Sequence, residues 1–279
     1  MDIGTDKPSR AVRARIPHHL IDICDPAERY NAARFITDAT AAIAAITARG
    51  RLPILVGGTF LYFRALVHGL SPMPGADPSV RAELHREAAA RGWPALHGEL
   101  AQIDPATAAR IAPGDTQRLE RALELVRLTG QVPSRLYTAS GTGAAFEFLK
   151  IALWPHDRNA LGAKLARRFS RMLEQGLLCE VKALRERGDL DESCPAVRAV
   201  GYRQLWHYLD GACDFAEAER RAIVATRRYA KRQMTWLRGE PDIIRVAADK
   251  AALQAVWVEL QRGFSRAFSG FDRATIDGQ

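Results

Sequence analysis

From Leu52 to His68 the chain reads LPILVGGTFLYFRALVH. Five residues dominated by apolar side chains run into two glycines and a threonine, and a helical pattern begins at Phe60. A short apolar run is the mark of a strand covered on both faces, and paired glycines let the backbone turn sharply into the next helix. Upstream, His18 to Cys24 reads as another short strand, stopped by Asp25-Pro26. Between the two, Asn31 is placed to cap a helix in which Phe35, Ile36, Ala39, Ile43 and Ile46 recur three or four residues apart, until Gly50 ends it. Strand, helix, strand, glycine turn, helix is the order of a parallel α/β sheet. Pro53 has no backbone donor and fits only at the start of its strand.

The texture changes at Ser71-Pro72-Met73-Pro74-Gly75. Helical patterns then cover Pro78 to about Arg91, Trp93 to Gln102, Pro105 to Ile111 and Gly114 to Leu128. Leu119, Leu123 and Val126 share one face of the last. Residues 76–141 therefore read as an all-helical insert, and residues 1–75 with 142–279 as an α/β core with C-terminal helices. Phe146 to Trp154 returns to strand character. Helices follow over Asn159–Gly176, on to about Gly188, over Gly201–Leu209 and over Phe215–Arg238. Asp242–Ala247 reads as a last strand, and the Gly- and Ser-rich tail beyond Phe264 is expected to fray.

Charge narrows the range of partners. Lys and Arg number 40 against 32 Asp and Glu, and only six of the 40 are Lys. Arginine offers a planar fork that matches phosphate or carboxylate through two hydrogen bonds, so a nucleic acid or a polyphosphate suits this balance. The four cysteines are far apart with no CxxC pair, which argues against a zinc knuckle or a disulfide framework. No apolar signal core opens the chain and no membrane-spanning run occurs, so a cytoplasmic protein is expected, with no membrane partner. His18-His19 lacks further ligands at usable spacing and reads as structural, not as a metal site or general base.

Several segments carry candidate chemistry. Thr59 and the free N–H groups of the helix it opens can hold an anion or a base edge. Gln117 and Arg121 share a helical face, as do Arg118 and Arg121, or else these residues form a solvated face with Glu120 and Glu124. Arg198 and Arg203 flank Gly201 and Tyr202. Arginines there suit phosphates, and the tyrosine ring suits stacking on a base. The helix from Phe215 carries Arg220, Arg221, Arg227, Arg228, Lys231, Arg232 and Arg238 against Glu217 and Glu219 alone, both in its first turns. Tyr229, Gln233 and Trp236 lie together on it. Like charges four apart repel by about 0.2–0.5 kcal/mol per pair, which an external phosphate backbone would offset. Arg158, Lys164, Arg167, Arg168 and Arg171 make a second basic helix.

Taken together, MDIGTDKP, PHHLIDICDP, LPILVGGTFLYFRALVHGL, GDTQRLERALE, VRAVGYRQLW and ATRRYAKRQMTWLR resemble the tRNA dimethylallyltransferases, also called tRNA isopentenyltransferases, in family order over essentially the whole chain. The resemblance implies an α/β fold: a P-loop-NTPase-like parallel sheet core, of the ATP- and nucleotide-binding type, with an all-helical insert that grips the anticodon stem-loop. It implies transfer of a dimethylallyl group from dimethylallyl diphosphate to N6 of adenine 37 in tRNAs reading codons that start with U. It also implies Mg2+ as cofactor and a monomer. The adenine leaves the stack for a channel that the diphosphate enters from the other end.

Carried over, Thr59 matches the threonine that positions the base or the transition state. Arg81, Gln117, Arg118 and Arg121 match tRNA contacts of the insert. Arg198, Gly201, Tyr202 and Arg203, and then Lys231, Arg232, Gln233, Trp236 and Arg238, match two later tRNA-contact segments. Arg168 matches an arginine on the diphosphate side, whereas Lys164 stands where relatives often have Arg. The family's phosphate-binding loop G-x-T-x-x-G-K-[ST], and the D-S-x-x-x-Y segment with its general-base aspartate, do not occur in this sequence, whose Met1 aligns with an internal methionine of relatives. Either the natural enzyme is longer at its N-terminus, or the truncation is real and the product is a catalytically inactive tRNA-binding protein. A P-loop nucleotide kinase is a third reading, but it leaves KRQMTWLR unexplained.

Overall fold

The structure, a computed structural model, describes residues 1–137, 143 and 146–267. The expected junction at 141–142 and the tail past 267 lie outside them. In chain order the elements are α1 (Arg10–Arg15), α2 (Ala32–Ala48), α3 (Phe60–His68), α4 (Pro78–Arg91), α5 (Trp93–Ile103), α6 (Pro105–Ala108), α7 (Thr116–Thr129) and α8 (Pro133–Leu136). Then follow β1 (Lys150–Trp154), α9 (Arg158–Glu174), α10 (Leu177–Glu186), α11 (Tyr202–Leu209), α12 (Phe215–Arg238), β2 (Ile243–Ala247) and α13 (Ala252–Ala267). They fall into two compact units, residues 1–60 with 146–279 and residues 61–145.

Local chemistry sets most of the helix ends. The side chains of Asn31, Asp77, Asp115, Asp157 and Asp214 each accept a hydrogen bond from a backbone N–H in the first turn that follows. Such caps satisfy donors that the helix itself leaves open. Pro78 sits in the first turn of α4, where its missing N–H costs nothing. Gly130 takes the left-handed conformation that ends α7.

The helical unit of residues 61–145 packs Leu84, Leu96, Leu100, Leu119 and Leu123, all essentially without exposure, into one core. Each such leucine contributes roughly 1.5–3 kcal/mol of burial. Two buried carboxylates tie the unit's loops to its helices. Asp104 accepts from Thr107 Oγ1 at 2.7 Å and from Ser134 N–H at 2.8 Å, joining the start of α6 to α8. Glu124 is fully buried on α7. It takes a two-pronged hydrogen bond from Arg81 at 2.8 and 3.0 Å, one from Arg121 at 2.6 Å and one from the Asp77 N–H at 2.8 Å.

In the other unit, Phe169, Met172, Leu177, Val181, Leu205, Trp206, Ala218 and Ala222 form the core between α9, α10, α11 and α12. β1 and β2 pair in parallel, from Lys150 against Ile243 to Trp154 against Ala247. Two expected strands are corrected. Residues 18–24 and 52–56 carry no strand pairing among the described residues. Ile54 and Val56 are 67% and 90% exposed. A parallel strand exists only through the neighbour it bonds to, and an apolar run without a described partner does not form one. The strand expected from Phe146 starts only at Lys150, where β2 begins to pair with it. Helices α1, α8 and α13 were not anticipated.

Replacing Glu124 with Ala should destabilise the helical unit by about 3 kcal/mol, the low end for breaking a buried ion pair, because both arginines keep a path to water. Faster hydrogen exchange in α4 and α7 would register it. Burial alone would raise the Glu124 carboxyl, but the Arg81 and Arg121 guanidiniums and the Asp77 N–H hold it below its ordinary value. Its contribution is therefore complete above the unfolded carboxylate pKa of about 4.3 and fades as pH falls through the lowered folded value. The E124Q protein should lack this acid-side loss.

Candidate nucleic-acid interface

The glycine–threonine turn and α12 meet at one atom. The carbonyl oxygen of Gly58 accepts from Gln233 Nε2 at 3.1 Å and from Tyr229 Oη at 3.2 Å. One turn further along, the Trp236 ring stacks on Phe60, with centroids 6.4 Å apart and planes 11° from parallel. Residues 229, 233 and 236 share a helix face, as their spacing requires. A Cβ on Gly58 would collide with the Gln233 amide, so the glycine permits this close approach. The contacts leave Thr59, the next residue, exposed at the mouth of the turn.

Around that contact the surface is cationic and aromatic. Arg227, Arg228, Lys231 and Arg232 are exposed and have no carboxylate within ion-pair distance among the described residues. Arg220 and Arg221 differ: both are held by Glu217, at 2.7 and 2.5 Å, and together they lower that carboxyl to about 2. The charge of α12 is thus matched internally at its start and left open toward its end. Arg232 lies over the Tyr229 ring at 5.6 Å, and Arg238 and Arg245 lie over Trp154 at 5.8 and 4.8 Å. Trp236 and Tyr229 remain partly open, at 39% and 37%.

The remaining expected contacts divide by what already binds them. Gln117 is exposed on α7, and Arg118 is exposed beside Asp115 at 3.1 Å. Arg81 and Arg121 are engaged by Glu124, and Arg121 also donates to the Pro74 carbonyl at 2.6 Å. Arg198 donates to the carbonyls of Glu192 and Ser193 at 2.8 and 3.2 Å, while Arg203 points outward.

Tyr202 departs from expectation. It is 1% exposed within the core and presents no ring face for a base. Its hydroxyl donates to Glu180 and accepts from the Gly4 N–H at 3.1 Å. Burial, then the Glu180 carboxylate, push its pKa up. Gly201 has φ +94 at the start of α11 and serves the turn. Glu180, which nothing in the sequence signalled, also accepts the Asp2 and Ile3 N–H groups at 2.7 and 3.0 Å. Tyr202 and Glu180 therefore hold the MDIGT segment in place. Arg168 pairs with Asp6 of the same segment at 3.1 Å, and its buried Nε has no partner among the described residues. Lys7 bridges Asp2 and Asp22. No group of three or more His, Cys, Asp or Glu among the described residues is placed to hold a metal ion. Among these residues no helix is long and apolar enough to cross a membrane.

Residues 1–240 match the family model described as IPP transferase, and the chain belongs to that family. Its fold is the P-loop-like α/β fold of the tRNA isopentenyltransferases, with a parallel sheet in a helix-rich chain. It is 61% identical over 250 residues to the tRNA dimethylallyltransferase of Halorhodospira halophila, covering 89% of this chain and 81% of that one. The tRNA dimethylallyltransferase of Ralstonia nicotianae is 58% identical, with 87% and 77% covered. Among solved structures, the full-length tRNA isopentenylpyrophosphate transferase of Bacillus halodurans matches with a TM-score of 0.65 at 38% identity, over 95% of this chain and 82% of that one. A eukaryotic dimethylallyltransferase acting on tRNA matches with a TM-score of 0.72 at 27% identity, over 94% and 67%.

The Gly58 carbonyl gives a direct test of the turn. Gln233→Ala and Tyr229→Phe should each cost about 0.5–1.5 kcal/mol, and the double variant should cost more than their sum. Either donor alone satisfies the oxygen, and only removing both leaves it unbonded. Denaturant midpoints of the three variants measure this.

Proposed function

We propose that the protein transfers a dimethylallyl group from dimethylallyl diphosphate to N6 of adenine 37 in tRNA. The observation that carries this reading is the Gly58–Thr59 turn seated on the cationic, aromatic end of α12. Phosphates would lie along Arg228, Lys231, Arg232 and Arg238. Trp236 offers a partly exposed ring on which a base can stack, and Thr59 stands beside it to orient the reacting adenine. Gln117, Arg118 and Arg203 are exposed donors for the RNA backbone. Arg81, Arg121, Arg198, Gly201, Tyr202 and Gln233 act in this reading by positioning, since their groups are held within the protein.

In the reaction the N6 lone pair bonds to C1 of the dimethylallyl group. The C1–O bond breaks, diphosphate leaves with the bonding pair, and N6 loses a proton. Positive charge at the allylic carbon and negative charge on the leaving group call for fixed donors. Arg168 supplies one on the diphosphate side through its guanidinium, whose Nη2 also pairs with Asp6. The sequence holds neither the family's phosphate loop nor its proton-accepting aspartate, so the residues here account for placing the RNA and one side of the diphosphate. The anticodon stem-loop as the RNA element, the nucleotide-binding character of the core, a monomeric state and a cytoplasmic location belong to the same proposal.

Transfer of labelled dimethylallyl to an anticodon stem-loop carrying adenine 37 tests it. Label on N6 is the expected result, whereas binding without transfer would leave a tRNA-binding protein. Thr59→Ala should lower the transfer rate by about 10²-fold, typical of losing a positioning contact, with little change in tRNA affinity. Arg228→Ala or Arg232→Ala should instead weaken binding and flatten the dependence of log Kd on log[salt] by about 0.7–0.9 per contact.

A further inference from the structure

Beyond α12, a second cationic surface lies on α9. Lys164, Arg167 and Arg171 fall at i, i+3 and i+7 on its exposed face. They line a depression of about 640 Å³ with Ala166, Ser170 and Glu174. None of the three has a carboxylate within ion-pair distance among the described residues, whereas Arg168, on the adjoining flank of the helix, is matched by Asp6. The neighbouring carboxylates are Glu174 on the same helix and Glu219 on α12, and the latter accepts from the Ser170 hydroxyl at 3.4 Å. Three cations three and four residues apart repel one another along the helix. At the start of α12 the same crowding is relieved by Glu217, whereas Glu174, three residues past Arg171, forms no ion pair with it among the described residues.

The stripe lies on the side of α9 turned away from α12. α9 and α12 pack antiparallel, since Ser170 meets Glu219 and Gly162 meets Arg227. A Cβ at Gly162 would stand 3.3 Å from Arg227 Nε, so the absence of a side chain there lets Arg227 lie across α9. Arg227 in turn precedes Arg228, Lys231 and Arg232 on α12. At 100° per residue, Lys164, Arg167 and Arg171 lie roughly opposite Gly162 on α9, so their stripe is a cationic face separate from that of α12.

We infer that this face of α9 is a second track for the RNA phosphate backbone, separate from the residues that place the adenine. The inference rests on the proposed RNA substrate and extends its footprint to a helix that the family motifs do not assign to it. A depression lined by flexible cations, with no aromatic ring among its lining residues, suits sequence-independent phosphate contact and not base readout.

The test measures tRNA affinity across a salt series for the wild type, R167A/R171A and R167K/R171K. The alanine pair should raise Kd severalfold and reduce the salt slope by about 1.4–1.8, two contacts' worth. The lysine pair should keep the slope, because a point charge is enough for phosphate neutralisation. Both side chains are exposed, and an unchanged circular dichroism melt would confirm that folding is intact. Alanine variants with wild-type slope and affinity would overturn the track even if dimethylallyl transfer is observed. Loss of slope in a protein that binds tRNA without transferring would uphold the track and overturn the proposed activity.

Discussion

Arginine keeps its charge under every condition a cell offers, so each guanidinium in this fold must find a carboxylate, a carbonyl, an aromatic face or water. How that requirement is met decides much of the structure. Arg81 and Arg121 close on the buried Glu124 and fix the helical unit at its root. Arg187 spans Asp25 and Asp189 and fastens the loop after residue 24 to the end of α10. Arg198 clamps the carbonyls of the loop before α11. Among the described residues, Arg167 and Arg171 on α9 and Arg227 and Arg228 on α12 form no ion pair. Arginine content that looks uniform along the chain is thus sorted in space into a fraction that holds the scaffold and a fraction that stays exposed.

The same economy governs the turn at Gly58. A single carbonyl oxygen, bonded twice from α12, connects the residue before Thr59 to the helix that carries the unmatched cations. The Phe60–Trp236 stack adds a second contact a few ångströms along. Thr59 is therefore flanked by backbone and aromatic contacts of its neighbours and itself stays exposed.

Helices whose ends are written in local chemistry were readable. Asp77-Pro78, Asp214-Phe215 and Asn31 each announce a cap, and α4, α12 and α2 begin one residue after it. The joint face of Tyr229, Gln233 and Trp236 followed from helical spacing alone. Where the outcome depended on a distant partner, the residues misled. Ile54-Leu55-Val56 has strand composition, yet a strand is a property of a pair and the described residues offer it none. Tyr202 sits between two arginines, as a base-stacking residue would, but Glu180 and the Gly4 N–H draw it into the core. Glu124 looked like one more acid on a solvated helix. Only the arrival of Arg81 from α4 and of the Asp77 N–H makes its burial affordable. Val256 and Leu260, four residues apart, lie on one face of α13.

The order of motifs, the helix caps, the glycine turn and the excess of arginine belong to the amino-acid sequence alone, because each acts over four residues or fewer or needs only counting. Which arginines stay exposed, and which tyrosine is core and which is surface, were settled by the tertiary structure. A charge is neutralised by whatever lies within a few ångströms of it, and those neighbours are 25 to 200 residues away along the chain as often as they are next to it.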